Sequence, residues 1–317
     1  MGKIVAVHPL DTKFADQIKQ AAPGWELIDA SDRKTVDKHL PEAEIILGWN
    51  SNVAEFVKSG PSRLKWVQNW GAGVERLPLD KFREFGIMLT NASGVHPYPI
   101  SETIFAMLLA FTRHLHTAIR NQARSSWEHS GDMGEIHGRT MGILGAGAIG
   151  LETARLAQAF NMKVLGVRRS GLEEKNVDEM HGIEGLQEVL QQSDFVINCM
   201  PHTPETELML GKDQFAAMKK TAYYINIGRG KTTDTAALLE ALQNGTIAGA
   251  GLDVFEQEPL PEDHPFWKMD NVIITPHHAG STIYYTERVI AIFVDNLKQY
   301  AQGSSPESSV VDLDSEY

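Results

Sequence analysis

The stretch Thr140–Phe160, TMGILGAGAIGLETARLAQAF, decides how the rest of the chain is read. An apolar, strand-like run leads into Gly145, Gly147 and Gly150, spaced G-x-G-x-x-G, and a helical pattern follows. Gly145 permits a tight turn, Gly147 lets the backbone approach a pyrophosphate, and Gly150 allows helix and strand to pack closely. Ala148 and Ile149 fall in the first helical turn, where unpaired N–H groups and the positive dipole end favour an anion. A glycine pattern alone is weak. With a strand before it and a helix after it, this one predicts dinucleotide binding.

The next strand, Lys163–Val167, ends where an acidic residue would accept hydrogen bonds from the adenosine ribose of NAD. Here Arg168, Arg169 and Ser170 follow instead. Guanidinium groups bind phosphate oxygens bidentately and a hydroxyl can add a further bond, so these residues predict NADP(H) in preference to NAD(H). The competing reading leaves the arginines in solvent while NAD binds without a carboxylate.

Working outward, short apolar runs alternate with amphipathic stretches on both sides of the loop. Strands are predicted at KIVAVH, WELID, EIILGW, LKWVQNW and IMLTN, with helices at DTKFADQIKQA, SNVAEFVKSG and LDKFREF. A second series follows at TMGILG, KVLGV, DFVINCM, AYYINIG, IAGAGLDV and NVIITP. Such alternation predicts an α/β chain with doubly wound parallel sheets. Between the series, Pro97 and Pro99 predict a break, and Ser101 is placed to cap a long helix through Arg124. The apolar surplus of that helix fits either a subunit interface or packing on its own sheet. A final helix, TERVIAIFVDNLKQYAQG, precedes a short strand-like SSVVDLDSEY.

The 317 residues, 42% of them apolar, are enough for two domains with sizeable cores. Acids outnumber bases 41 to 29, a formal charge of -12 with no basic tract, which argues against nucleic acid or an anionic membrane as partner. Cys199 is the single cysteine, so no intrachain disulfide or cysteine metal site can form. No signal-peptide pattern opens the sequence and the apolar run IFAMLLAF is too short to span a bilayer, so a cytoplasmic setting is expected.

Several strands of the second series end in polar residues suited to acid–base chemistry. INIGRG presents Arg229, LDVFEQEPLP presents Asp253, Glu256 and Glu258, and TPHHAG presents His277 and His278. Residues beyond the carboxyl ends of strands line the ligand crevice of an open α/β sheet. With NWGAGVERL, GILGAGAIG, MPHTPET and the closing VVDL, these motifs resemble the D-isomer-specific 2-hydroxyacid dehydrogenase family, its glyoxylate/hydroxypyruvate reductase-like branch included, over essentially the whole chain.

That resemblance implies a substrate domain made of residues 1–98 and 287–317 around an inserted NAD(P)-binding domain of residues 99–286. It implies hydride transfer between NADP or NAD and a small 2-keto or 2-hydroxy acid. His277 would act as general acid and base, Glu258 would orient the imidazole and stabilise its protonated form, and Arg229 would bind the substrate carboxylate and polarise the carbonyl. Backbone amides of Gly71, Ala72 and Gly73 would hold the carboxylate, and Asp253 the nicotinamide amide. Pro201, Thr206 and Gly280 fall at further cofactor positions, and a homodimer through the cofactor domains is expected.

Of the two histidines, His277 directly follows Thr275–Pro276 and matches the family position; adjacent imidazoles without a third ligand do not make a metal site. Trp49 is a candidate for the substrate pocket, and Trp70, His96 and Tyr98 are open between pocket and core. His202, where the family more often has an apolar residue, reads as a flank for the adenosine phosphate or as a solvent-facing loop residue. Two other functions remain open on the same scaffold: a cofactor-sensing interaction protein, and a formate dehydrogenase-like enzyme. Against the latter stands Glu258, since those enzymes pair the histidine with a glutamine.

Overall fold

In the computed structural model, which describes residues 2–74, 76–129 and 131–313, the chain divides into two compact units, Met1–Val95 with Thr282–Tyr317, and His96–Ser281. In the first, β1 (Lys3–Ala6), α1 (Thr12–Ala21), β2 (Glu26–Asp29), α2 (Arg33–His39), β3 (Ile45–Leu47), α3 (Ser51–Lys58), β4 (Trp66–Gln68), α4 (Leu79–Phe85) and β5 (Met88–Thr90) alternate. All five strands are parallel, in the order β2-β1-β3-β4-β5. Successive side chains of a strand point to opposite faces. Val5, Ile46 and Val67 therefore pack with Val53 and Phe82 of α3 and α4, while Ile4, Ile45 and Trp66 face the other side. There they meet Ile18 of α1 and, from the far end of the chain, Ile290 and Phe293.

The second unit opens with α5 (Pro97–Thr112) and α6 (Leu115–Ala123). It continues through β6 (Thr140–Leu144), α7 (Ala148–Ala159), β7 (Lys163–Val167), β8 (Glu179–His181), α8 (Leu186–Gln192) and β9 (Phe195–Asn198). Then come α9 (Lys212–Ala217), β10 (Tyr223–Asn226), α10 (Thr235–Gln243), β11 (Gly249–Leu252) and β12 (Val272–Ile274). Its seven parallel strands run β12-β11-β10-β9-β6-β7-β8. One face buries Leu144, Val196, Tyr224 and Leu252 with Val189, Phe215 and Leu238 of α8–α10. The other buries Ile143, Ile197 and Ile225 with Leu108 of α5 and Ala154 of α7. Both units are thus Rossmann-like doubly wound sheets. The last helix, α11 (Tyr285–Ala301), returns to the first unit and packs against α1.

Because the strands of the second unit are parallel, every loop beyond their carboxyl ends lies at one edge. From β6 the chain goes to β7, while β9 pairs with the opposite side of β6, so strand order reverses beside the glycine loop. That reversal opens a crevice for a ligand.

Three expectations need correcting. The long helix starts at Pro97 rather than Ser101, because its first residues have no intrahelical acceptors for their N–H groups and lose nothing to proline. Ser101 is buried inside the helix, its hydroxyl donating to the Tyr98 carbonyl at 2.9 Å. The helix is also not continuous to Arg124: it stops at Thr112, and His114, at a φ of 49°, turns the chain into α6. The C-terminal strand reduces to a single antiparallel bridge, Thr90 to Val310, with Val311 N donating to the Leu89 carbonyl at 2.9 Å, and the last four residues of that segment, 314–317, lie outside the described residues. Among the described residues no helix is long and apolar enough to cross a membrane.

Candidate active site

At the glycine loop, Gly145 has a φ of 89°, and a Cβ there would lie 2.9 Å from the carbonyl carbon of Cys199 and from Met200 N. The loop is therefore seated on the chain leaving β9. A Cβ at Gly150 would meet the Gly145 carbonyl oxygen at 2.8 Å and Ile143 Cγ2 at 2.9 Å, so α7 can approach β6 only with glycine there. At Gly147 the same atom would meet nothing within 4 Å, and no side chain caps the helix that begins at Ala148 and Ile149. An uncapped helix N-terminus therefore faces open space. Burial pushes the nearby Cys199 thiol up to about 12.

Beyond β7, Arg168 is half-buried and donates to the carboxylate of Glu174, while Arg169 and Ser170 are exposed. On the loop after β9, the Thr206 hydroxyl accepts from Thr203 N at 2.8 Å and donates to the Pro201 carbonyl at 2.7 Å, so Pro201 and Thr206 brace one turn. His202 Nε2 is buried, 3.8 Å from a Glu207 carboxylate oxygen.

Arg229, Glu258 and His277 follow β10, β11 and β12, three neighbours in the sheet. His277 Nδ1 lies 2.7 Å from Glu258 Oε2, and Glu258 Oε1 accepts from Phe255 N at 3.0 Å. His278 instead contributes its backbone N–H, which donates to Asp253 Oδ1 at 3.0 Å. Asp253 is 2% exposed and also accepts from the Thr275 hydroxyl at 2.6 Å and from Ala279 N at 3.1 Å. Its carboxylate thus closes the loop that carries His277. That histidine sits at a φ of 50°, a left-handed conformation that costs a non-glycine residue about 1 kcal/mol and persists where surrounding bonds enforce it. Gly280, at the end of the same loop, packs on His96, whose Nδ1 is 3.1 Å from the Gly280 carbonyl. Beside Arg229, a Cβ at Gly230 would fall 1.9 Å from the Phe255 carbonyl, so β10 and β11 exit in contact.

In the first unit, the loop Gly71–Gly73 follows β4. Asn69 Nδ2 donates to the Gly71 and Gly73 carbonyls at 2.8 and 3.1 Å, and Asn91 Nδ2 to the Ala72 carbonyl at 2.8 Å. With all three carbonyls held, the N–H groups of Gly71, Ala72 and Gly73 have no acceptor among the described residues. A run of unpaired N–H groups is a concavity for an anion.

Residues 105–279 match the model of the D-isomer specific 2-hydroxyacid dehydrogenase NAD binding domain. A glyoxylate reductase of Pyrococcus furiosus is 36% identical over 87% of this chain and 84% of its own length. Among solved structures, a D-isomer specific 2-hydroxyacid dehydrogenase family protein from Aeromonas salmonicida superposes with a TM-score of 0.85 at 32% identity, covering 98% of this chain and 99% of that one. An NADPH-dependent glyoxylate/hydroxypyruvate reductase from Sinorhizobium meliloti, in complex with NADP and sulfate, gives 0.81 at 28% identity with full coverage of both chains. The chain belongs to the D-isomer-specific 2-hydroxyacid dehydrogenase family. It is an NAD(P)-dependent oxidoreductase of 2-hydroxy and 2-keto acids.

Within this dehydrogenase, sequence reasoning overlooked the groups that hold the site. Under Arg229 lies a buried polar network: Asn198 Nδ2 donates to Tyr224 Oη and Thr232 Oγ1 at 2.9 and 2.8 Å. Thr232 Oγ1 in turn donates to the Arg229 carbonyl at 2.7 Å, and Asn226 Oδ1 accepts from Gly228 N at 3.1 Å. Asparagines closing two apolar strands were the available signal. In the first unit, Trp49 lies against Phe82 at 5.8 Å between centroids, part of the core packing, and Tyr98 of the second is exposed. His8, two residues beyond β1, packs tilted against Trp70 at 4.8 Å between centroids, with Nε2 buried and unpartnered among the described residues. Burial lowers its proton affinity, partly offset by a bond to the Trp49 backbone.

Proposed function

We propose that this dehydrogenase reduces a small 2-keto acid to the 2-hydroxy acid with NADP(H) as the favoured cofactor, using His277, Glu258 and Arg229. The unit 96–281 would bind the dinucleotide, and the unit 1–95 with 282–317 the acid. The observation that carries the reading is the 2.7 Å contact between His277 Nδ1 and Glu258 Oε2 on a histidine held in a left-handed conformation. A hydrogen bond at Nδ1 leaves Nε2 as the nitrogen that exchanges a proton with the substrate oxygen.

The open space before Gly147 and the uncapped start of α7 fit a pyrophosphate, with Gly145, Ala148, Ile149 and Gly150 forming the cradle. When bound, the dinucleotide supplies the hydride. Arg229 binds the substrate carboxylate and places positive charge where the carbonyl oxygen becomes anionic. Within the unit 1–95 with 282–317, the free amides of Gly71, Ala72 and Gly73 suit a carboxylate. His277 in its charged form delivers the proton, and Glu258 keeps the ring turned for it. Arg168, Arg169 and Ser170 favour a 2′-phosphate, in keeping with the NADP-bound Sinorhizobium reductase.

A panel of 2-keto acids assayed with NADPH and NADH tests this reading, with His277→Ala as control. Turnover favouring NADPH, lost in the variant, is expected. A clear NADH advantage overturns the cofactor choice, and cofactor binding without turnover on any acid overturns the reaction. The reading includes a homodimer through the cofactor-binding units, since Leu115 and Ile119 share one exposed face of α6 and Trp127 is fully exposed. A monomer by light scattering removes that part.

A further inference from the structure

The arginine after β7 is not simply open to a phosphate. Its backbone adjoins the glycine loop: Val167, the residue before it, accepts from Gly145 N and Ala146 N at 2.9 and 3.2 Å. The chain then folds back on itself. Gly171, at a φ of 61°, donates its N–H to the Arg168 carbonyl at 3.1 Å, and this turn brings Glu174 under the guanidinium. Arg168 Nη1 donates to Glu174 Oε1, with the two side chains 31% and 34% exposed. The Arg168 guanidinium therefore already carries a resident carboxylate. The Glu205 carboxyl is held down mainly by the Thr203 hydroxyl, with a small contribution from the Arg169 charge.

We infer that Glu174 sets the margin between the two dinucleotides. Its carboxylate occupies on Arg168 the place that a 2′-phosphate would take, because both present oxygens to a guanidinium in the same geometry. A 2′-phosphate has to displace Glu174. A 2′-hydroxyl does not, and it can donate to Glu174 Oε2, which has no other partner among the described residues. The pair thus restores, on a loop after the strand, the acid that the strand end lacks. A half-exposed ion pair is weak enough to be exchanged for a dianion, so the enzyme keeps both cofactors within reach. This inference rests on the proposed binding of the adenosine ribose beside Arg168.

Calorimetric titration of the wild type, Glu174→Gln and Arg168→Ala with adenosine 2′,5′-bisphosphate and with AMP separates the two claims, thermal melts confirming that each variant folds. Glu174→Gln is expected to shift the ratio of the two affinities toward the bisphosphate by about two- to five-fold. An equal shift for both ligands, no shift, or a shift toward AMP overturns the role of Glu174. Arg168→Ala is expected to remove most of the wild-type preference for the bisphosphate. If the bisphosphate binds Arg168→Ala as well as it binds the wild type, the placement of the ribose beside Arg168 is wrong, whatever Glu174→Gln does.

Discussion

His277 Nδ1 and Glu258 Oε2 lie 2.7 Å apart, and each partner is fixed from behind by backbone. Phe255 N holds the other oxygen of Glu258, and His277 N donates to the Asp253 carbonyl at 2.8 Å. Among the described residues no comparable bond reaches the His278 ring, and its N–H donates to Asp253. His277→Ala should lower kcat by about 10²–10⁴-fold, the usual worth of a placed proton donor. His278→Ala should retain most activity. Steady-state kinetics of the two variants distinguishes them, and an equal loss in both would reverse the assignment.

Asp253 gives a second test, because its carboxylate is tied to the histidine loop. Three donors converge on its buried carboxylate: the Thr275 hydroxyl, His278 N and Ala279 N. Asp253→Ala removes the acceptor of all three donors at once. The unfolding free energy should fall by about 1–3 kcal/mol, the cost of leaving a buried donor unpaired. If the carboxylate also maintains the left-handed His277, kcat should fall with little change in cofactor affinity. Urea unfolding together with kinetics checks both. Lost stability at unchanged kcat would show that the histidine keeps its place without Asp253.

The parts of this site that were legible in the sequence are those set by local sterics. Gly145, Gly147 and Gly150 show their roles through spacing, because a turn, an approach and a packing contact each exclude a side chain within a few residues. The strands of both units other than β8 are legible from apolar runs, and LDKFREF gives α4 its observed extent, Leu79–Phe85. The short β8, EMH, and the polar α2 carry no such pattern and were missed. Partnerships made by register were also hidden. Asn198 and Asn226 are neighbours because β9 and β10 pair in that register, and neither strand alone reveals it. Sequence alone makes the arginines after β7 phosphate ligands, whereas the turn at Gly171 that delivers Glu174 is a tertiary feature.

Asn69 and Asn91 belong to the same hidden class, and their variants should affect the acid rather than the dinucleotide. Asn91 Nδ2 holds the Ala72 carbonyl at 2.8 Å, and its Oδ1 accepts from Ser93 N at 2.9 Å. Asn91→Ala releases that carbonyl and lets the peptide rotate, so the adjoining N–H no longer points at a carboxylate. KM for the 2-keto acid should rise about tenfold, equivalent to one charge-assisted hydrogen bond, while KM for the cofactor stays constant. Initial rates with each substrate varied in turn provide the check. A parallel rise in both constants would point to general loosening of the loop.

Two histidines, one in each unit, should make the fold acid-sensitive. Burial is the main cause that lowers the proton affinity of both His8 and His116, and His116 Nδ1 is also 2.8 Å from the Ala110 carbonyl. In the unfolded chain each would titrate near 6.5. Above that pH both states are neutral and the fold keeps its full stability. As pH falls below 6.5 the unfolded state takes up protons that the folded state resists, so stability declines until the folded-state groups protonate as well. The melting temperature should therefore drop between pH 7 and pH 5, and His116→Gln should make that drop smaller while leaving an amide to donate to Ala110. Calorimetric melts of wild type and variant across this range test the sign. A wild type that gains stability on acidification, or a variant with the same slope, would show that other groups control the acid response.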